Sequence, residues 1–265
     1  MKISEAISRI DERFPTNIQE DYDNSGSQVV FPEETLYGVY ICLDADSTTI
    51  ADAVKNRCNL IISHHPMIFR AVKKINSSES GGKSIINLID NRVSLYSLHT
   101  NFDKIMFSYL SEISGFSNSE LLIKKGILND NEIGFGSIVV LDQPVSFKSL
   151  IEKIKKALCL DYLIITGDLD TEISKAAFIN GSGGGSIEKI ISISGPDCII
   201  TGDVGYHHAK FALDNNVCII DAGHYGTEII FKKLLAESVN DIINVENSGI
   251  NIVISEIEKN PFKIY

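Results

Sequence analysis

The sequence predicts an α/β protein, on three observations. Short, continuous apolar runs recur: Asn59-Leu-Ile-Ile62, Val93-Ser-Leu-Tyr-Ser-Leu98, Cys198-Ile-Ile-Thr201 and Val217-Cys-Ile-Ile220. Runs of this length and apolarity mark strands covered on both faces. Stretches with apolar residues at helical spacing lie between them, and strand-helix-strand alternation favours parallel pairing. Polar turns rich in glycine and histidine close several of the runs.

Taken in order, residues 3–14 place Ile3, Ala6, Ile7, Ile10 and Phe14 at helical spacing, and Pro15 stops the run. Asp21-Tyr-Asp-Asn-Ser-Gly26 reads as a surface turn before a strand at Gln28-Val-Val-Phe31. Leu36 to Leu43 reads as a strand, and Asp44-Ala-Asp-Ser-Thr48 caps a helix to about Arg57. Asn59 to Ile62 is a buried strand ending in Ser63-His64-His65-Pro66. Asn76 to Gly82 is polar, and Lys83 to Asn91 fits a helix with Ile85, Ile86 and Ile89 inward. The strand Val93–Leu98 ends in His99-Thr-Asn-Phe-Asp103.

Residues 105–113 have a helical pattern closed by Gly115, Leu121 to Leu128 is irregular, and Ile138-Val-Val-Leu141 starts a strand. Val145-Ser-Phe-Lys-Ser-Leu150 caps an amphipathic helix to Leu158, its lysines on a solvated face. Tyr162–Thr166 and Ala176–Ile179 read as strands. Asn180-Gly-Ser-Gly-Gly-Gly-Ser186 then leads into a helix from Ile187 to Ile193. The glycines suit either a tight strand-to-helix turn or backbone amides offered to an anion. Cys198–Thr201 is a strand ending in Gly202-Asp203-Val-Gly-Tyr-His207-His208, with a helix after it. Val217–Ile220 leads into Asp221-Ala-Gly-His-Tyr-Gly-Thr-Glu228 and a helix from Ile229. Ile250 to Ile254 alternates like an edge strand, and Glu258 to Tyr265 is a polar end.

Composition bounds the function. The 265 residues suffice for one large or two small domains, and the formal net charge is −11. That balance opposes a general nucleic-acid surface or an anionic membrane surface, which need a local excess of Lys and Arg. Five cysteines, an odd number with no C-x-x-C, point to a reducing, cytoplasmic setting without a disulfide framework. No apolar segment approaches the ~18–20 residues of a membrane span.

The chemistry sits in the histidines. All six follow apolar strands: His64, His65, His99, His207, His208 and His224. Carboxylates accompany them at Asp103, Asp203, Asp221 and Glu228. Open α/β sheets place ligands at the carboxyl ends of strands. His224 and Glu228 are four apart, on one face of a helix that starts in the turn. A mixed His/Asp/Glu set without Cys suits zinc, iron, manganese or cobalt, and this many ligands suits a two-metal site. Ser/His/Asp catalysis fits poorly, since no G-x-S-x-G is present.

These motifs, Ile-Ser-His64-His65-Pro-Met-Ile-Phe69, Leu-His99-Thr-Asn-Phe-Asp103, Thr-Gly-Asp203 with His207-His208-Ala, and Asp221-Ala-Gly-His224-Tyr-Gly-Thr-Glu228, resemble those of a known family. It is the dinuclear metal centre family named after NGG-interacting factor three, with many bacterial members named GTP cyclohydrolase type-2-like. Tyr22-Asp-Asn-Ser-Gly26, the glycine loop and Ser255-Glu-Ile257 extend the resemblance over essentially the whole chain. Two features depart from it: Tyr22 stands where Trp is usual, and Lys-Ile-Met-Phe follows Asp103 in place of a Gly-Val-Asn-Asp-like segment.

The resemblance implies two interlinked α/β domains with mixed sheets flanked by helices, the second inserted into the first. The expected boundaries are 1–125 plus 224–265 for the metal-site domain and 126–223 for the insert. It implies two divalent metal ions (zinc, iron or manganese) on His64, His65, Asp103, His224 and Glu228. His99 and His207 or His208 would face the substrate or shuttle protons. It further implies a homohexamer and a hydrolase acting on a nucleotide-like ligand, GTP cyclohydrolase type-2-like. The alternative is a non-enzymatic metal-binding or adaptor protein that stores, delivers or senses metal or binds protein partners.

Overall fold

The computed structural model describes residues 1–244 and 249–264. The helices run α1 (Ile3–Arg13), α2 (Ser47–Lys55), α3 (Ser80–Asp90), α4 (Thr100–Ile105), α5 (Tyr109–Ile113) and α6 (Phe147–Ala157). They continue with α7 (Ile187–Ser194), α8 (Tyr206–Asp214), α9 (His224–Glu228) and α10 (Phe231–Ile243). The strands are β1 (Gly26–Val29), β2 (Gly38–Cys42), β3 (Leu60–Ser63), β4 (Ser94–Ser97), β5 (Ser119–Leu128) and β6 (Asn131–Ser146). The rest are β7 (Ile164–Thr166), β8 (Glu172–Phe178), β9 (Cys198–Thr201), β10 (Cys218–Asp221) and β11 (Asn251–Ile254).

The chain divides into two compact units. One is Met1–Phe102 with Phe231–Tyr265, and the other, Asp103–Ile230, is inserted into it. The expected boundaries put residues 103–125 in the first unit and cut the insert at 223. Pairing explains the difference. β5 runs antiparallel to β6 along its whole length, from Ser119↔Val139 to Leu128↔Asn131, and so belongs with the second sheet. The polar end of the chain is described to Ile264, and Tyr265 lies outside the described residues.

The first unit holds a sheet in the order β1-β4-β3-β2-β11. β2, β3, β4 and β11 pair in parallel, and β1 closes one edge antiparallel to β4. Every residue of β2, β3 and β4 is buried, as continuous apolar runs demand. α1 buries Ile3, Ala6 and Ile10, and Phe14 closes it. α2 is capped by Asp46, whose side chain accepts from the amides of Thr48 and Thr49. α3 differs from expectation: Ile85 and Leu88 are buried and Ile89 is exposed. The helix starts earlier, at Ser80, and Gly82 sets its inward face because a Cβ there would meet the Asn76 carbonyl at 2.2 Å.

The second unit holds a mixed sheet in the order β5-β6-β8-β9-β10-β7. β8, β9 and β10 are parallel, and the flanking strands are antiparallel. The segment 121–128 that reads as irregular is part of a ten-residue strand. A register shift between Lys124 and Gly126 breaks its alternation. The hairpin turn is Asn129-Asp130, both with positive φ, as a two-residue loop requires. One face of this sheet packs against α6 through Phe147, Leu150 and Ile154, and the other against α7 through Ile187 and Ile190. No described helix is long and apolar enough to cross a membrane.

Candidate metal centre

In the first unit the histidines stand at the ends of β3 and β4. The backbone of His64 donates to Cys42 O at 3.0 Å and that of His65 to Leu43 O at 2.9 Å, so both prolong the pairing with β2. The ligand-capable atoms of His64, His65 and His99 all lie within 4.8 Å of one another. His64 is 1% exposed and its ring stacks on Phe231, centroids 5.8 Å apart and planes 1° from parallel.

Each of these rings is held by its Nδ1. His64 Nδ1 lies 2.9 Å from the Leu98 carbonyl, His65 Nδ1 2.9 Å from Asp44 Oδ1, and His99 Nδ1 2.8 Å from Asp23 Oδ1. An oxygen acceptor at Nδ1 fixes the proton there and leaves Nε2 as the basic atom, the arrangement of metal-bound imidazoles.

Asp23, like the Asp44 that faces His65, is a residue that sequence reasoning missed. Its loop reads as a plain surface turn, yet its side chain is fully buried. It accepts from Thr100 N at 3.1 Å, Thr100 Oγ1 at 2.5 Å and Ser25 Oγ at 2.9 Å as well as facing His99. Burial opposes its ionisation, but the hydrogen bonds to His99 and Thr100 prevail and hold the carboxyl below the usual range. The Tyr22-Asp-Asn-Ser-Gly26 motif carried that signal.

In the second unit, Gly223 (φ 74°) turns the chain from β10 into α9. α9 does begin in the turn, and His224 Nε2 lies 2.8 Å from Glu228 Oε2. His224 Nδ1 is 2.8 Å from Asp203 Oδ2. Asp203 sits in the left-handed region, φ 56°, a conformation that non-glycine residues adopt at a cost. The hydrogen bond to Glu228 raises the His224 pKa, burial lowers it, and the two carboxylates together push it up to about 9. Asp221 spends its oxygens on backbone, accepting from Val204 N at 3.0 Å and Gly223 N at 2.9 Å, and so braces the turn.

The glycine loop packs onto this group. Gly181 donates its amide to Thr227 Oγ1 at 2.8 Å. Its φ is 62°, and a Cβ there would lie 2.0 Å from Glu228 Oε1 and 3.5 Å from His224 Nε2. Gly184 similarly meets the Asp203 carbonyl. These glycines are required by close approach, the tight-turn reading of the motif. Asp103 is nearly buried and accepts from Asn180 Nδ2 at 3.0 Å, beside Gly181 in sequence.

His207 and His208 lie in the first turn of α8. His207 is exposed and stands edge-on to Tyr206, centroids 5.3 Å apart. His208 Nδ1 is buried without a hydrogen-bond partner among the described residues. Neither joins a cluster of ligand atoms among the described residues.

A divalent cation fits these residues. Four imidazoles have Nδ1 tied to oxygen, and the acidic member Glu228 is 4% exposed in a cradle that one methyl group would fill. Residues 1–261 match the model of Duf34/NIF3 (NGG1p interacting factor 3). The chain belongs to this family. A relative from Clostridium acetobutylicum named GTP cyclohydrolase 1 type 2 homolog is 32% identical over 266 residues, 99% of this chain and 98% of the relative. A Helicobacter pylori relative named GTP cyclohydrolase 1 type 2 is 32% identical over 250 residues, 92% of this chain and 96% of the relative. Among solved structures, a Bacillus cereus protein related to NIF3 has a TM-score of 0.91 at 21% identity, with 100% of this chain and 99% of that one covered. That likeness speaks for the NIF3 fold.

Proposed function

We propose that this NIF3-family chain binds two divalent metal ions, zinc, iron or manganese, and uses them in hydrolysis. The ligands are His64 and His65 in the first unit and Asp103, His224 and Glu228 in the second. The observation that carries this reading is the shared anchoring of imidazoles. His64, His65 and His224 each have Nδ1 within 2.9 Å of a carbonyl or carboxylate oxygen, an anchoring that suits Nε2 to a metal. When bound, such ions polarise an electrophile and lower the pKa of a water toward ~7.

The chain's own groups do the rest. Asp23 holds the proton of His99 at Nδ1, so His99 Nε2 serves as a proton acceptor. His207 and His208, at the start of α8, supply further proton-carrying groups in the second unit. The reading of a nucleotide substrate, GTP cyclohydrolase type-2-like, is supported by the names of the relatives, and a cytoplasmic homohexamer goes with it.

Turnover of GTP by metal-reconstituted protein tests the enzyme. His99→Gln should retain its metal and lose the activity. Full metal content with no turnover on any nucleoside triphosphate would leave a metal-binding protein in place of a hydrolase.

A further inference from the structure

The C-terminal segment after β11 reaches back to the loop between β2 and α2. Ser255 N donates to Ile41 O at 2.8 Å and continues the β11–β2 register. Beyond it, Glu258 Oε1 accepts from two consecutive amides, Leu43 N at 2.9 Å and Asp44 N at 2.8 Å. Glu258 Oε2 lies 3.0 Å from Lys232 Nζ, which also donates to the Ser255 carbonyl at 2.6 Å. The side chains of Lys232 and Glu258 are 9% and 8% exposed, so this is a buried ion pair at the start of α10.

The loop clamped in this way carries Asp44, the partner of His65. Asp44 is 63% exposed, and from this clamped backbone its carboxylate reaches His65 Nδ1 at 2.9 Å. Fixing the backbone from which it projects sets the direction from which its carboxylate approaches His65 Nδ1. A buried ion pair also costs desolvation that apolar residues of equal size would avoid, so its presence asks for a role beyond packing.

We propose that Glu258, charged and held by Lys232, is the positioning residue that fixes Asp44 and through it the metal-binding orientation of His65. The inference rests on His65 being a ligand, as in the function proposed above. It makes the C-terminal segment a latch: docking of the tail and metal binding at His65 favour each other, by the reciprocity of linked equilibria.

Zinc titration of the full chain tests it. Glu258→Ala should bind zinc about tenfold more weakly, within the range for groups that support a ligand. Asp44→Ala should lose a similar factor, and the double variant should be no worse than either single one, since both act on His65 by one route. Purely additive losses, or unchanged affinity with only a lower melting temperature, would overturn the proposal. Glu258→Gln keeps the acceptor oxygen and guards against a variant that does not fold. A second readout uses the wild type alone: zinc should slow hydrogen exchange at the Leu43 and Asp44 amides, and should fail to do so in His65→Ala. Exchange unchanged by zinc in the wild type would also overturn it. Wild type that binds neither zinc, manganese nor iron would refute the metal reading itself, a result distinct from tight binding in which Glu258 plays no part.

Discussion

The two histidine groups differ in how far the chain travels to build them. In the first unit, His64, His65 and His99 are oriented by Leu98, Asp44 and Asp23, at sequence separations of 34, 21 and 76 residues. In the second unit, His224 meets Glu228 across one helical turn, four residues on. The first group is assembled by the sheet, so its geometry is only as good as the parallel pairing of β2, β3 and β4. The second has a local pair at its centre, seated by the glycine loop and by Asp203, 21 residues from His224. Their electrostatics differ accordingly. His224 faces two carboxylates and its pKa is pushed up to about 9, so without metal it is a cation at neutral pH.

The sharpest way to break this comparison is Glu228→Ala. It removes a proposed ligand and the largest cause of the raised His224 pKa. Metal affinity in the second unit should fall by more than the roughly 10–100-fold that a supporting group costs. Imidazole NMR should show the His224 pKa falling from about 9 toward its ordinary 6.5, with Asp203 still acting to raise it. A His224 pKa still near 9 would break the account of its charge.

Gly181→Ala is the next largest. The added methyl would collide with Glu228 Oε1, and φ 62° disfavours any Cβ. Metal affinity should drop roughly 10–100-fold, while a Gly185→Ala control, where open space surrounds the position, should bind as wild type does. Equal binding by both variants would show that the cradle is not needed.

Asp23→Asn acts on the first group. It should lower turnover on the order of 100-fold, the scale of general acid–base catalysis, with metal content unchanged. Asp23 also links stability to pH. Its folded pKa lies below the ordinary 3.8, so its contribution is complete above that value and is lost as pH falls through the lower one. Denaturant midpoints of the Asn variant should therefore fall less steeply in acid than those of the wild type.

The smallest effect is in the pH dependence of metal uptake. A ligand imidazole must be neutral, so binding at His224 displaces a proton at any pH below about 9. Affinity in the second unit should weaken by about tenfold per pH unit below that point. The sign for metal-free stability is opposite. The raised His224 pKa contributes stability that is complete below its ordinary 6.5 and is lost as pH rises through about 9.

The same contrast explains what could be read from the sequence. His224 and Glu228 were legible because their relation is a spacing, and β3, β9 and β10 were legible as continuous apolar runs. Asp23 and Asp44 were not, because each finds its histidine through the fold and leaves no periodic mark. β5 hid behind its register shift at Lys124–Gly126, which mixes the two faces of the strand. Ile89 was placed inward because the start of α3 at Ser80, and with it the glycine face, is not marked by a clear cap.

The central claim is that both groups hold metal, and counting metal per chain tests it most directly. Elemental analysis after reconstitution with zinc, manganese or iron should give about two ions per chain in the wild type. It should show a loss in Glu228→Ala and a separate loss in the double variant His64→Ala with His65→Ala. Wild type that takes up no metal under any of these conditions would contradict the account.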